Sequence, residues 1–89
     1  MADVKKKASA GTLESSDVYV EIEPAEAGLV IDLQSVVQAQ FGSAIEAAVR
    51  EVLQENGVER ASVKVMDRGA LECVIRARVE TAVLRSKEG

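Results

Sequence analysis

Polar and apolar residues alternate in two stretches of the first half of the chain. Val18, Val20 and Ile22 alternate with Tyr19, Glu21 and Glu23, the period of a half-buried strand. Leu29, Ile31 and Leu33 alternate with Val30, Asp32 and Gln34, which predicts a second strand. Pro24 and Gly28 punctuate the turn between them, so the two are expected to form an antiparallel hairpin. The period then lengthens. Phe41, Ile45, Ala48, Val49, Val52 and Leu53 recur at the spacing of one helical face. Ser35 with Gln38 reads as a capping box at its start. Asn56-Gly57 closes it, with Gly57 suited to the left-handed position after a helix.

Alternation returns at Ala61, Val63 and Val65, a third strand. The segment after it supports two periods. As a strand, Leu71, Cys73, Ile75, Ala77 and Val79 face one way, and Asp67-Arg68-Gly69 makes a three-residue hairpin loop. That register sets Val65 against Leu71, Lys64 against Glu72 and Val63 against Cys73. As a helix, Leu71, Ile75, Val79 and Ala82 align, but Arg78 intrudes on the apolar stripe. The hairpin is the preferred reading, with a short helix from about residue 80 and Cys73 buried as a small hydrophobe. The fold class expected is α+β: a small single domain, ββαββ, with an antiparallel or mixed sheet packed on one long helix. The alternative is ββαβα, with residues 70–85 as a second helix. Residues 1–16 show no periodicity and read as a flexible N-terminal arm, leaving 17–89 as the domain.

Composition narrows the chemistry. The 89 residues contain no His, no Trp, one Phe, one Tyr and one Cys. Without His there is no Ser-His-Asp machinery and no imidazole metal ligand. A single Cys closes no internal disulfide and agrees with a reducing compartment. Two aromatic residues are too few for base-stacking platforms, and no apolar run reaches the length of a membrane span. Lys5, Lys6 and Lys7 are followed by no apolar signal core, so a cytoplasmic protein is expected. Neither a nucleic acid, a membrane nor a metal is expected as a partner. The net charge of −4 is unevenly spread. Residues 8–49 hold Glu14, Asp17, Glu21, Glu23, Glu26, Asp32 and Glu46 with no Lys or Arg at all. Such an anionic half repels nucleic acid and favours basic protein surfaces, unless it is simply a solvated face.

No side-chain set offers catalysis. Glu21 and Glu23 share a strand face but lack a cleft to desolvate them, and no glycine-rich phosphate loop is present. The remaining feature is Gly11-Thr12-Leu13-Glu14-Ser15-Ser16-Asp17, a hydroxyl-rich segment before a strand. No base lies near to activate its serines as nucleophiles. An exposed serine in such a loop can still receive a group from another enzyme.

Gly11-Thr12-Leu13-Glu14-Ser15-Ser16-Asp17-Val18 resembles the N-terminal signature of the acyl carrier (gamma) subunits of citrate lyase. Further matches lie at Ile31-Asp32-Leu33-Gln34, Gln40-Phe41-Gly42 with Ala44-Ile45, and Asp67 with Gly69-Ala70-Leu71. Cys73 and Arg76-Ala77-Arg78 with Glu80 complete the pattern, which runs from Gly11 to about Arg85. The resemblance implies that Ser15 carries 2'-(5''-phosphoribosyl)-3'-dephospho-CoA through a phosphodiester; Ser16, directly beside it, is the neighbouring hydroxyl. The thiol of that arm would hold acetyl and citryl thioesters. By the same resemblance the alpha subunit (acetyl:citrate transferase) and the beta subunit (citryl lyase) are partners, together with the enzyme that attaches the group. Citrate would leave as acetate and oxaloacetate, and the small subunit would present substrate without catalysing either step. The carrier of malonate decarboxylase is the nearest alternative, and a non-catalytic acidic interaction domain is another.

Overall fold

The alternating segments do build a sheet, and their register sets apolar rows against apolar rows. The computed structural model describes residues 4–88. Its elements are β1 (Ala8–Gly11), β2 (Val18–Pro24), β3 (Leu29–Ser35), α1 (Gln38–Glu55), β4 (Ala61–Asp67) and α2 (Glu72–Lys87). The strands lie in the order β1-β2-β4-β3. Strand β2 runs antiparallel to β1 and β4, while β3 runs parallel to β4. Val20 pairs with Val65 and Val65 with Leu33; Ile22 pairs with Val63 and Val63 with Ile31. These rows form the face covered by the helices. On the opposite face, Lys64 lies between Glu21 and Asp32, a cation flanked by two carboxylates.

The helices close the core with Val49, Val52 and Leu53 of α1 and Ile75, Val79 and Val83 of α2, all buried. Each such side chain contributes roughly 1.5–3 kcal/mol over leaving it in water. The end of α1 follows the sequence: Gly57 takes φ +73, its N–H bonds Gln54 O at 3.0 Å, and the Val58 N–H bonds Leu53 O at 2.9 Å. That pair of bonds is the Schellman closure that a glycine at this position permits. The start is built differently from a simple capping box. Gln38 Oε1 does accept the Ser35 N–H at 3.3 Å, but Ser35 Oγ accepts from Val37 N at 3.1 Å and donates to the buried Asp67 at 2.7 Å. The helix therefore begins at Gln38, and Ser35 ties the end of β3 to the end of β4.

The α+β class and the helix through residues 41–53 stand as expected; the layout on one long helix does not, since α2 is a second helix of 16 residues, nor do four placements. Residues 71–79 are not a strand, because β4 already has β2 on one side and β3 on the other. Residues 72–79 belong to α2 with Leu71 as its extended N-cap, the ββαβα alternative, in which Ile75, Val79, Ala82, Val83 and Ser86 form the buried stripe. Cys73 is consequently exposed. Strands β2 and β3 do not form a hairpin: β4 enters between them, and α1 provides the crossover that parallel β3 and β4 require. Residues 8–11, expected within a flexible arm, are an edge strand on β2, and Val4 before them is buried. Ala8 and Ala10 are small enough to lie flat under α2, and the Lys5 and Lys6 N–H groups bond Ser86 O at 3.0 and 3.1 Å.

Candidate functional site

With β1 in the sheet, Ser15 lies not on a free arm but in a six-residue connection, 12–17, between two paired strands. Its geometry follows from its hydrogen bonds. The Thr12 N–H reaches Val18 O at 3.2 Å and closes the hairpin. The Asp17 N–H reaches Glu14 O at 3.1 Å, making Glu14-Ser15-Ser16-Asp17 a β-turn. Ser16, its third residue, has φ +64 while Ser15 stays at negative φ, the type II pattern. The Ser16 N–H then donates to Arg68 O at 2.8 Å, and the Arg68 N–H donates to Asp17 O at 2.9 Å. Two residues of one strand thus face one of the other, a bulge whose first member is left-handed. Glycine normally fills that position, and a serine there is held against its preference.

The turn is fastened from beneath by Asp17. Its carboxylate accepts from Thr12 Oγ1 at 2.7 Å, from the Val18 N–H at 2.7 Å, and from Nε and Nη2 of Arg78, each at 3.2 Å. The Thr12 hydroxyl, the Val18 N–H and the Arg78 guanidinium, in that order of strength, hold the Asp17 carboxyl at about 2 rather than 3.8. Thr12 Oγ1 also accepts the Glu14 N–H at 3.2 Å. Gly11 bends the chain into the turn at φ +92, where a Cβ would lie 1.8 Å from Val18 O. Arg78, the residue that spoiled the apolar stripe in the sequence, leaves the helix face to reach this carboxylate.

The outcome is a rigid turn with Ser15 at its crest. Ser15 is exposed, and among the described residues nothing hydrogen-bonds its Oγ. The Asp17 carboxylate is occupied by Thr12, Val18 and Arg78, which leaves it no lone pair aimed at the serine. The arrangement presents a hydroxyl; it does not activate one. Cys73, Glu21 and Glu23 are not brought to it: Cys73 lies on α2 with Arg76 and Glu80 about it, and Glu21 meets Tyr19 Oη at 3.0 Å on the open sheet face. Among the described residues no group of three His, Cys, Asp or Glu is placed to hold a metal ion, and no helix is long and apolar enough to cross a membrane.

The carboxyl ends of the parallel pair β3 and β4 lie at this same end of the sheet, so both helices begin beside the turn. Leu13, Val36, Phe41 and Leu71 are each at least half exposed there. A pocket of about 340 Å³ is lined by Leu13, Gln34, Ser35, Val36, Met66 and Arg68. A second, of about 230 Å³, opens between the helix starts and includes Phe41, Leu71 and Ile75. The sequence placed Phe41 inside the core stripe and marked neither Leu13 nor Leu71 as surface. The one available signal was that Asp67-Arg68-Gly69 interrupts the strand period.

Comparison with known proteins agrees with this layout. Residues 5–86 match the sequence profile of the family described as malonate decarboxylase delta subunit (MdcD). The chain is 58% identical over 84 residues to citrate lyase acyl carrier protein 2 of Salmonella typhimurium, covering 93% of this chain and 87% of that protein. It is 56% identical over 87 residues to the citrate lyase acyl carrier protein of Escherichia fergusonii, covering 97% and 90%. A chain of the Pseudomonas malonate decarboxylase hetero-tetramer, solved in complex with malonate, has the same fold, with a TM-score of 0.79 over 91% of this chain and 84% of that one at 24% identity.

Proposed function

Because the chain belongs to the citrate lyase acyl carrier protein family, which shares its fold with a chain of malonate decarboxylase, we propose that it is the carrier subunit of a cytoplasmic citrate lyase and that Ser15 is the attachment residue. The observation that carries this reading is the turn itself: an exposed, unbonded Ser15 hydroxyl at the crest of a loop fixed by Asp17, Arg78 and Arg68. The prosthetic group is 2'-(5''-phosphoribosyl)-3'-dephospho-CoA, joined through a phosphodiester, and it supplies the thiol that carries the acyl unit between transferase and lyase subunits. The residues suit such a group. Ser15 has room and no competing partner, and the guanidinium of Arg68 on the adjoining strand end makes no ion pair among the described residues.

This chain's own contribution is positional. On attachment the Ser15 Oγ–P bond forms as the donor's bond from phosphorus to its leaving group breaks. The serine proton goes to a base of the modifying enzyme, the Asp17 carboxylate being committed to Thr12, Val18 and Arg78. With β1 paired into the sheet, the protein adds little reach. Travel between active sites belongs to the attached arm, and the fixed turn sets where that arm starts. Leu13, Val36, Phe41 and Leu71, exposed about the turn, offer the apolar surface on which a partner enzyme would seat, and Glu14 and the carboxylates of β2 and β3 offer the charge.

The test is reconstitution. Carrier loaded by its modifying enzyme and acetylated should support citrate-dependent release of acetate and oxaloacetate with the alpha and beta subunits. The Ser15→Ala carrier should support none. Release of carbon dioxide from malonate in place of citrate cleavage would move the chain to the malonate decarboxylase reading.

A further inference from the structure

Charge around Ser15 is arranged so that one cation remains uncommitted. Residues 8–49 contain no Lys or Arg, and Lys7, before them, pairs with Glu21 at 3.7 Å, away from the turn, so the cations beside the turn come from the second half of the chain. Two arrive there. Arg78 is bound through two nitrogens to Asp17, both at 3.2 Å. Arg68 is bound by its backbone alone: its carbonyl accepts the Ser16 N–H and its N–H donates to Asp17 O. Its side chain is exposed and makes no ion pair among the described residues. It lines the pocket of about 340 Å³ with Leu13, Gln34 and Met66. Asp67, the preceding residue, turns inward and is buried, which leaves Arg68 facing out beside the turn.

We propose that Arg68 is the phosphate-holding residue of the attachment site, its guanidinium pairing with the phosphodiester that joins the prosthetic group to Ser15. The inference rests on the reading of Ser15 as the attachment residue and deepens it. A phosphodiester keeps its negative charge at every physiological pH, and on Ser15 it lies beside Glu14 and above Asp17. Like charges so placed repel, and Arg68 is the group that offsets them. A guanidinium also matches two phosphate oxygens with parallel N–H donors, which an ammonium does not. The backbone bonds matter here as well, because they lock the Arg68 Cα to the turn that carries the serine. Phosphate and cation are therefore held by one rigid unit, and pairing fixes the direction in which the arm departs.

The experiment uses isotope-labelled carrier in its apo and loaded forms, with loading first verified by intact mass. On loading, the Arg68 Nε–H resonance should shift more than those of Arg76 and Arg85. The shift should shrink as sodium chloride rises to about 1 M, where charges are screened within about 3 Å. In loaded Arg68→Gln carrier the phosphodiester phosphorus resonance, distinct from the two of the group's pyrophosphate, should move to its position in urea-unfolded protein. Arg68→Lys should fall between, and Arg50→Gln, which removes an α1 surface charge, should match wild type. The initial rate of loading should fall about fivefold in Arg68→Gln, the upper range for an exposed charge pair. A loaded carrier whose Arg68 resonance does not move, or whose phosphodiester phosphorus resonance is the same in wild type and Arg68→Gln, overturns the assignment. Wild-type carrier that gains no mass on Ser15 refutes instead the reading of the serine, and this inference with it.

Discussion

Replacing Gly11 by Ala should damage both the stability of the domain and the presentation of Ser15. At φ +92 the new Cβ would lie 1.8 Å from the Val18 carbonyl oxygen, whereas real Cβ contacts do not fall below 3.0 Å. The strands must therefore part by about an ångström at this point. Parting them breaks the Thr12 N–H to Val18 O bond that closes the hairpin, a loss of about 1 kcal/mol. The left-handed backbone adds about 1–2 kcal/mol for a residue with a Cβ. Reduced freedom of the unfolded chain returns about 0.5 kcal/mol, leaving a net cost of about 2 kcal/mol. Gly28 is the control: it has φ +70 but nothing within 4 Å of its Cβ position, so only the backbone contribution applies, about 1 kcal/mol. Urea unfolding followed by circular dichroism, compared at equal slope, measures both. Equal urea midpoints for the two variants would refute the steric argument. The Gly11→Ala carrier should also be loaded more slowly than Gly28→Ala, because only the former loosens the turn under Ser15.

Three further outcomes are expected. Ser16→Gly relieves the left-handed serine and should raise stability by up to about 1 kcal/mol while leaving Ser15 available for loading; a lower urea midpoint would contradict the bulge. Asp17 has its carboxyl lowered, so its support of the turn is complete above pH 3.8 and is lost as pH falls through about 2. The Ser16 amide resonance should follow that titration, and a midpoint at the ordinary carboxylate value would show that Asp17 does not fasten the turn. Binding of the apo carrier to its modifying enzyme should weaken as salt rises, since residues 8–49, which include the turn, carry seven carboxylates and no Lys or Arg; an affinity indifferent to salt would remove charge from the account.

What the sequence disclosed was local, and what it concealed was the pairing of distant segments. The strand faces at Val18–Ile22, Leu29–Leu33 and Ala61–Val65 and the helix ended by Gly57 are each written in one short period. Strand order is not. Pro24 and Gly28 made β2 and β3 look like a hairpin, and only the insertion of β4 between them shows otherwise. The same insertion decides residues 71–79, where alternation and helical spacing coexist, since both edges of β4 are taken. Strand β1 was invisible because Ala8, Ser9, Ala10 and Gly11 contain no large apolar residue, and their pairing comes from β2 and α2. Ser15 was legible as chemistry through its family signature. Its platform was not, because Asp17 and Arg78 are 61 residues apart and Arg68 meets the turn only through backbone atoms.

The central claim is that Ser15, held at the crest of a fixed turn, is the residue that is modified. Peptide mapping by mass spectrometry of carrier produced together with its modifying enzyme tests it most directly. The adduct is predicted on the Ser15 hydroxyl alone, lost in Ser15→Ala and retained in Ser16→Ala. An adduct on Ser16, or one that persists in Ser15→Ala, would contradict it.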